Sequence, residues 1–562
     1  MDAAETDKAA SSPVEAHAEV AALLARGAVA EAEAALEAAL ARWSRNPKLL
    51  LVKGEVLAKT SPARAAVHYA ALTGDASLAP WPAGRLADLL PLPAATPDEA
   101  VALAEAVCAG AVDRPLKERI LDALLESGDT AARTKLTEIA GAKSKIFKYE
   151  SKLAVARTES GDFEGAIDVL ANARAEGRLS LHAAVLYADL LAATDRLAQS
   201  IALLEEIYAK NPDHADISRR LTMMLQRARD FDRAAEVFEQ AVARWPQDWM
   251  LVYRLNRLPI THARYERILD LLFTRAGDAL QKNERLRFHA ALAALHGDDP
   301  ARGFALLDGA EFTPPVSILA VPVQKALKSR DAGAWRAASR LVDDRTKEVQ
   351  VTKSAKARGT VMLTTGITFG NLPLAFIDAL FAAHHFNVIY LRDFGKRVYL
   401  RGVSALGADE DATIETLKRM AAELGGKRVI AMGSSSGGFS AMRMGALMGA
   451  DIAVSFSGQT ALASYLDTTR VSAWNPNFFV KVQMEREGAL PFDLLPVLSQ
   501  PSKTKFLQFY GSDDAEDTRQ ALRLKGLANV MLIPVRGVGD HFVVDHMIAD
   551  GSFEALLKEL GA

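Results

Sequence analysis

Residues 431–439 read Ala-Met-Gly-Ser-Ser-Ser-Gly-Gly-Phe, and this stretch decides how the second half of the chain folds. A strand-like run at residues 428–432 leads into it, and an Ala- and Met-rich helical pattern follows it. A strand, a sharp turn and a helix in succession hold a serine in a strained backbone conformation, with its hydroxyl above the sheet edge. The Gly-x-Ser-x-Gly register places Ser435 at that turn. An anion-binding loop at a helix start is the alternative, although no lysine follows the glycines as in a P-loop.

Short β-branched and aromatic runs surround this stretch and alternate with helical patterns from about residue 346 onward. Near-continuous apolar runs separated by helices predict a mostly parallel sheet that is covered on both faces. A further run at residues 348–352 predicts an edge strand. The other predicted strands comprise residues 360–365, 386–391, 428–432, 452–456, 506–510 and 530–535.

A serine hydroxyl becomes a nucleophile at neutral pH only when a positioned base takes its proton. Residues 536–541, Arg-Gly-Val-Gly-Asp-His, form a glycine-rich loop after the last predicted strand, which places His541 at the carboxyl end of the sheet. His546 lies five residues further on, inside a predicted helix and with less reach to the serine. His541 is therefore the candidate base.

The carboxylate that would orient this histidine is expected just past another strand. Residues 506–510 are followed by Gly-Ser-Asp-Asp, which offers two aspartates. One of them can turn inward while the other caps the helix that starts near Ala515. We prefer Asp514 as the orienting carboxylate, and Asp513 stays open as the alternative.

Length, charge and cysteine content restrict the function classes. The chain has 562 residues with Lys+Arg 67 against Asp+Glu 70, so several domains are expected and long-range attraction to nucleic acid or to a membrane surface is not. Its one cysteine, Cys108, excludes an internal disulfide and disfavours a Cys-rich zinc site. No cofactor and no metal are predicted. Without a signal-peptide pattern or a run of about 18 apolar residues, we expect a cytoplasmic protein, with a disordered segment at residues 1–15.

Residues 16–345 follow a helical pattern rich in Ala, Leu and Glu, part of which recurs with a fixed period. This region resembles the tetratricopeptide repeat, in which small residues let two antiparallel helices approach closely and a proline ends the second helix, as Pro212 and Pro246 do. An irregular helical bundle is the alternative, and the match fades between about residues 60 and 140. The recurring small residues, spaced by 34, are Ala154, Ala188 and Thr222 in one helix and Ala166, Ser200 and Ala234 in the next.

The order Ser435, Asp514, His541, each just past a different predicted parallel strand, resembles the α/β-hydrolase superfamily. The resemblance covers residues 346–562. It implies that Ser435 is the nucleophile, that His541 is the general acid and base, and that Asp514 is the partner that orients the imidazole.

The same resemblance implies an oxyanion hole. The backbone N–H of Ser436 is one expected donor, and the second is expected from the loop at residues 365–371, near Ile367. That loop lacks the HGGG pattern of many lipases and esterases.

Three segments, residues 393–403, 433–439 and 456–459, are similar to hydrolase-like domains encoded with bacterial surface-polysaccharide and glycosylation machinery. This similarity suggests an acyl ester on a sugar or glycoconjugate as the substrate. Residues 460–502 occupy the usual place of a substrate-covering insertion. Within them, residues 474–479, Trp-Asn-Pro-Asn-Phe-Phe, are candidates to line a cleft.

These features predict a tetratricopeptide-like solenoid at residues 16–345 and a three-layer α/β domain at residues 346–562. The expected activity is that of a serine hydrolase acting on an ester, with the repeats recruiting a protein partner. An acyltransferase would use the same residues, and a scaffold with a catalytically silent α/β domain is the alternative from another class. Truncation at about residue 345 is expected to leave a soluble α/β domain.

Overall fold

The computed structural model describes residues 10–90, 96–127, 130–297, 299–328, 334–365, 368–395, 397–462 and 492–562, with the single residues Val482, Met484, Arg486 and Gly488. The chain divides into two compact units, Met1–Tyr187 and Ala188–Ala562.

The regular secondary structure of the described residues before the first strand is entirely helical, as the sequence predicts. The first helix begins at Pro13, so residues 13–15 belong to a helix and not to the predicted disordered terminus. The helices are α1 (Pro13–Ala25), α2 (Val29–Arg42), α3 (Pro47–Thr60), α4 (Pro62–Leu72), α5 (Trp81–Asp88), α6 (Pro97–Ala109), α7 (Arg114–Ser127), α8 (Thr130–Lys143), α9 (Phe147–Glu159), α10 (Phe163–Ala175), α11 (Leu181–Ala193), α12 (Leu197–Lys210), α13 (Ala215–Ala228), α14 (Phe231–Arg244), α15 (Trp249–Leu255), α16 (His262–Ala276), α17 (Ala279–Lys282), α18 (Glu284–His296), α19 (Pro300–Leu307), α20 (Val316–Lys328) and α21 (Ala334–Ala338).

The repeat register found in the sequence coincides with buried helix positions. None of the six small residues spaced by 34 is more than 5% exposed, which allows close helix packing at each of them. Asp162 and Asp230 occupy equivalent positions two periods apart, and each caps the helix that follows it by accepting a backbone hydrogen bond. Both α12 and α14 end shortly before the prolines that the sequence marks as helix terminators.

A seven-stranded sheet forms the centre of the C-terminal part, in the order β1-β5-β2-β6-β7-β8-β9. Its first strand pairs antiparallel with β5, and the remaining neighbours are parallel, which confirms the predicted mostly parallel sheet. A separate two-stranded hairpin, β3 with β4, was not predicted. The strands are β1 (Val349–Thr352), β2 (Gly359–Thr365), β3 (Thr368–Phe369), β4 (Leu372–Pro373), β5 (Phe386–Arg392), β6 (Val429–Ser434), β7 (Ile452–Phe456), β8 (Lys505–Gly511) and β9 (Val530–Val535).

Helices cover both faces of this sheet, because alternate residues of the central strands point to opposite sides. Val361 and Leu363 belong to one buried cluster, while Met362 between them belongs to the other. The helices of this part are α22 (Leu374–Ala383), α23 (Glu410–Leu424), α24 (Ser436–Met448), α25 (Leu495–Leu498), α26 (Ala515–Leu522), α27 (Val543–Asp550) and α28 (Ser552–Leu560).

One of the two clusters extends into the helices that precede the sheet. Phe288 and Leu295 of α18 and Val323 of α20 lie in the same buried cluster as Val361 of β2 and Phe456 of β7. The helices at the end of the repeat region therefore share one hydrophobic core with the sheet, and both fall in the unit Ala188–Ala562. Within the described ranges, no helix has both the length and the apolar character needed to cross a bilayer.

This shared core leads to a stability prediction opposite to the sequence-based one. A fragment of residues 346–562 loses α18 and α20, which belong to the buried cluster shared with the sheet, and the apolar surface so exposed should make it aggregate. A fragment of residues 179–562, which keeps α11 whole and the shared cluster intact, should stay soluble. Soluble yield and size-exclusion profiles of the two fragments measure the difference. A soluble, cooperatively unfolding 346–562 fragment would show that the shared cluster is dispensable.

Candidate active site

Ser435 lies at a sharp turn between β6 and α24. Its backbone has φ 56° and ψ −127°, a conformation that side-chain-bearing residues rarely adopt and that is retained where the surrounding structure enforces it. Its N–H donates to the carbonyl of Phe456 at 2.9 Å, which fixes the turn to the neighbouring strand β7. The turn also places Ser435 at the positive end of the α24 dipole, where developing negative charge is favoured.

The glycines of the Gly-x-Ser-x-Gly pattern are required by close packing. A Cβ at Gly433 would lie 2.1 Å from the carbonyl oxygen of Gly437, and a Cβ at Gly437 would lie 2.3 Å from the carbonyl oxygen of Thr364. The Thr364 hydroxyl donates to the Gly437 carbonyl at 2.7 Å, tying β2 to the first turn of α24. The two glycines therefore allow the backbones of β2, β6 and α24 to pass close to one another, which holds the serine in place.

His541 reaches Ser435 from the loop between β9 and α27. Its Nε2 lies 2.8 Å from the Ser435 Oγ, so the structure brings together the serine and the histidine that the sequence singles out. His546 lies inside α27, and its Nε2 is 2.8 Å from Oδ2 of Asp540, so it faces a different partner.

The carboxylate on His541 is Asp517, and the choice of Asp514 is corrected. Oδ1 of Asp517 lies 2.8 Å from the His541 Nδ1. Asp514 is the N-cap of α26 and accepts from the Asp517 backbone N–H at 2.8 Å. Asp513 is exposed and accepts from the Ser512 hydroxyl. Both candidates from the sequence thus have other partners.

A signal for Asp517 was present in the sequence. A helix N-cap uses its side chain to accept from the N–H of the third helical residue. If Asp514 caps the helix, its carboxylate is committed there, and the acidic residues of the first helical turn, Glu516 and Asp517, are left as candidates. The expectation that one of two adjacent aspartates orients the histidine leaves out the first turn of the helix, where Asp517 lies.

The surroundings of His541 favour its protonated form. Burial alone lowers the pKa of the imidazole, but the hydrogen bond to Asp517 and the negative charges of Asp517, Asp514 and Asp540 outweigh it, so the pKa is raised above its ordinary value. The Asp517 side chain is only 5% exposed. Its second oxygen, Oδ2, has no hydrogen-bond partner among the described residues, so the imidazole is its main source of stabilisation.

Of the two predicted oxyanion donors, one lies in the described structure. Ser436 is the first residue of α24, so its N–H belongs to the first turn, where no intrahelical acceptor exists. Ile367, the second predicted donor, lies outside the described residues, as do residues 474–479 of the predicted cleft.

The segment at residues 393–403, noted in the sequence, packs against this site. The Ser440 hydroxyl on α24 donates to the Val398 carbonyl at 3.0 Å. The Tyr399 hydroxyl accepts from the N–H of Thr365, at the end of β2, at 3.1 Å. Val398 and Tyr399 both have positive φ, 47° and 61°, so this bend is held in a strained conformation. The segment links the serine-bearing helix to the carboxyl end of β2.

A turn of the repeat region anchors the same segment. Asp195, between α11 and α12, pairs with Arg397 at 2.6 Å and with Arg486 at 2.9 Å. Burial alone would raise the pKa of Asp195, but the two arginines outweigh it, so the pKa is lowered. Among the described residues, no group of three or more His, Cys, Asp or Glu is arranged to hold a metal ion.

Fold and site together define the class. An antiparallel edge strand followed by parallel strands, a serine on a strand-turn-helix bend and a histidine after the last strand constitute the α/β-hydrolase fold. Tetratricopeptide repeats precede it, since residues 157–223 match the family model described as tetratricopeptide repeat.

Solved structures with likeness to this chain include three at low identity. The capsule O-acetyltransferase of Neisseria meningitidis serogroup A is 15% identical, covering 37% of this chain and 90% of its own, with a TM-score of 0.28. An α/β hydrolase from a sediment metagenome of the lagoon of Mar Chica, Morocco, is 17% identical, with coverages of 38% and 94% and a TM-score of 0.27. The 2,6-dihydroxy-pseudo-oxynicotine hydrolase is 16% identical, with coverages of 57% and 92% and a TM-score of 0.31. No curated protein matches the chain.

Proposed function

We propose that this protein is a serine hydrolase that cleaves a carboxylic ester, with Ser435, His541 and Asp517 as its catalytic triad. The observation that carries the proposal is the continuous hydrogen-bonded series from the Ser435 Oγ through both ring nitrogens of His541 to Asp517. A serine held at φ 56° above the sheet edge has no evident structural use that would explain the strain. Nucleophile, base and orienter are thus all in mutual contact.

The acylation step follows from this geometry. The Ser435 Oγ attacks the ester carbonyl carbon as its proton passes to the His541 Nε2, and the carbonyl oxygen becomes an oxyanion. Asp517 stabilises the imidazolium through Nδ1–H. The N–H of Ser436, and a second donor proposed near Ile367, donate hydrogen bonds to the oxyanion, each stabilising the transition state by about 3 kcal/mol. The carbon–oxygen bond to the alcohol then breaks as His541 returns the proton to the leaving oxygen.

Deacylation reverses these roles. His541 removes a proton from water as the water oxygen attacks the acyl-Ser435 carbonyl, and collapse of the second oxyanion releases the acid and returns the proton to Ser435. A sugar or protein hydroxyl in place of that water would make the same site an acyltransferase.

The proposed substrate is an acyl ester on a sugar or glycoconjugate, and the proposed repeat partner is a protein. Support for the substrate comes from residues 393–403, which are similar to glycosylation-associated hydrolase domains. The same residues contact the serine-bearing helix directly. Support for the partner comes from the repeat family, whose stacked helix pairs present an extended surface.

The experiment that tests this function is activity-based labelling. The purified protein is treated with a fluorophosphonate probe, the modified residue is mapped by mass spectrometry, and turnover of short-chain p-nitrophenyl esters is measured. Labelling at Ser435 together with ester turnover is expected. A protein that neither labels nor turns over any ester would be a scaffold with a silent α/β domain.

The pH profile offers an independent test. Only neutral His541 can take the serine proton, so kcat/KM should fall on the acidic limb of the pH profile, where His541 becomes protonated. Because the surrounding carboxylates raise the pKa of His541, the midpoint of this limb should lie above the ordinary imidazole value of 6.5. Replacing Asp514 with asparagine removes one of these charges and keeps an effective N-cap, so the limb should move to lower pH. Asp513→Asn is the matched control and should leave the limb in place. Equal shifts in both variants would contradict the assigned cause.

A further inference from the structure

Asp545 is a buried carboxylate that the proposed triad does not use. It lies in α27, four residues after His541, and is fully buried. The backbone N–H of Asn371 lies 3.1 Å from each of its oxygens, and the Asn371 side-chain amide donates to Oδ2 at 2.7 Å. Among the residues that the structure describes, Asn371 of the β3–β4 turn thus supplies every hydrogen bond that this carboxylate accepts.

The backbone of that turn is shaped around the carboxylate. Gly370, which precedes Asn371, has φ 67°, and a Cβ there would lie 2.2 Å from Oδ1 of Asp545. A residue with a side chain at this position would have both a strained backbone and a collision with a buried oxygen. The close approach of the hairpin turn to the Asp545 carboxylate therefore requires glycine at position 370.

Stability alone is a poor explanation for this arrangement. A buried carboxylate loses its hydration, and an apolar side chain of similar size is often as stable in such a place. Here burial raises the pKa of Asp545 to about 7, although the hydrogen bonds from Asn371 act in the opposite direction. A group retained at such a cost is most useful where it fixes the position of two segments.

The two segments that Asp545 joins are the turn after His541 and the β3–β4 hairpin, and both adjoin elements of the candidate active site. The N–H of Asp545 donates to the Phe542 carbonyl at 2.9 Å, so Asp545 belongs to the first turn of the helix that continues from His541. The hairpin it binds follows β2, whose end is held by Tyr399 next to the serine-bearing helix. The hairpin also packs against the helix α18, whose His296 is buried.

We propose that Asp545 is a positioning residue, which through Asn371 holds the His541 turn at the distance from β2 that keeps the imidazole on Ser435. This role rests on the proposed function. Asp545 itself touches neither Ser435 nor His541 through its side chain in the contacts described, so it would act on the rate through the placement of the base.

The test compares Asp545→Asn with the exchange variant Asp545→Asn/Asn371→Asp. The single substitution leaves one acceptor oxygen at position 545 for the backbone and side-chain N–H groups of Asn371, so the contact that holds the His541 turn is weakened. A misplaced base should then lower kcat about tenfold, with KM within about twofold of wild type. The exchange variant restores an amide–carboxylate pair and should recover most of kcat. Asn371→Ala, which removes the side-chain donor from the hairpin, should lower kcat in the same way if Asp545→Asn fails to fold.

Asp378→Asn is the matched control. Asp378 is also fully buried, but it accepts from Arg340, Tyr390 and Thr352, away from the histidine loop. Its substitution should lower the melting temperature and leave kcat unchanged. An equal loss of kcat in Asp378→Asn, or no recovery in the exchange variant, would reduce Asp545 to a structural residue.

A readout without activity separates this proposal from the proposed function. Hydrogen–deuterium exchange of the amides of residues 541–546 and of Asn371 should accelerate in Asp545→Asn and stay at wild-type rates in Asp378→Asn. If the wild-type protein is not labelled by the fluorophosphonate while these amides respond, the hydrolase assignment fails and the placement of the turn by Asp545 stands. If labelling succeeds and the amides do not respond, only the positioning role is overturned.

Discussion

Ser435→Ala is expected to abolish ester turnover and fluorophosphonate labelling. Removing the nucleophile of a serine triad costs on the order of 10⁶ in kcat, because the remaining groups can only bind the substrate and polarise it. The assay is kcat for a short-chain p-nitrophenyl ester, with the probe-labelled fraction measured on the same preparations.

The strained turn supplies a second variant and an internal control. Ser435→Gly should be equally inactive but at least as stable as wild type in thermal unfolding, because glycine adopts φ 56° at little cost. Ser434→Ala, which removes the adjacent hydroxyl in β6, should keep turnover within about twofold. Persistent labelling in Ser435→Ala would mean that another residue reacts with the probe, and it would refute the assignment.

Asp517→Asn is expected to lower kcat about 10⁴-fold without loss of the fold. The amide can donate to the His541 Nδ1 and so hold the imidazole in the tautomer that cannot accept the serine proton. The substitution leaves the backbone N–H of residue 517, and hence its bond to the Asp514 cap, in place. The measurement is kcat on the alkaline side of the pH profile, where His541 is neutral in every variant.

The two aspartates considered from the sequence are the controls. Asp514→Asn keeps the helix cap, and Asp513→Asn changes an exposed side chain, so both should retain kcat within a few-fold of wild type. A large loss in Asp514→Asn with a small loss in Asp517→Asn would return the orienting role to the position first chosen. Near-normal turnover in all three variants would leave His541 without a required carboxylate.

Much of the fold was predictable because the signals were local. Each strand of the main sheet reads as a short apolar run, and the positions of β7 and β9 coincide with the predicted ranges. The serine turn was predictable for the same reason, since the Gly-x-Ser-x-Gly pattern lies within one short segment between a strand-like run and a helical pattern. The repeat register was visible because small residues must recur wherever helices approach closely.

The rest depended on contacts between distant parts of the chain. Asp517 was missed because the capping rule removes Asp514 but does not choose between Glu516 and Asp517, and that choice depends on which way the first helical turn faces. The shared core was missed because α18 has apolar residues on every side. The positions that pack on other helices and those that join the cluster shared with the sheet look alike in sequence. Asp545 was missed because its partner Asn371 is 174 positions away.

The continuous core of residues 188–562 also bears on how this protein can be recombined. Grafting the hydrolase-type sheet onto a different repeat array at residue 346 would separate Phe288 and Val323 from the buried cluster that they share with the sheet. It would also remove Asp195, whose carboxylate ties down Arg397 beside the serine-bearing helix. The exchangeable module is therefore the compact unit that starts near residue 188, and a working chimera must carry the last helix pairs along with the sheet.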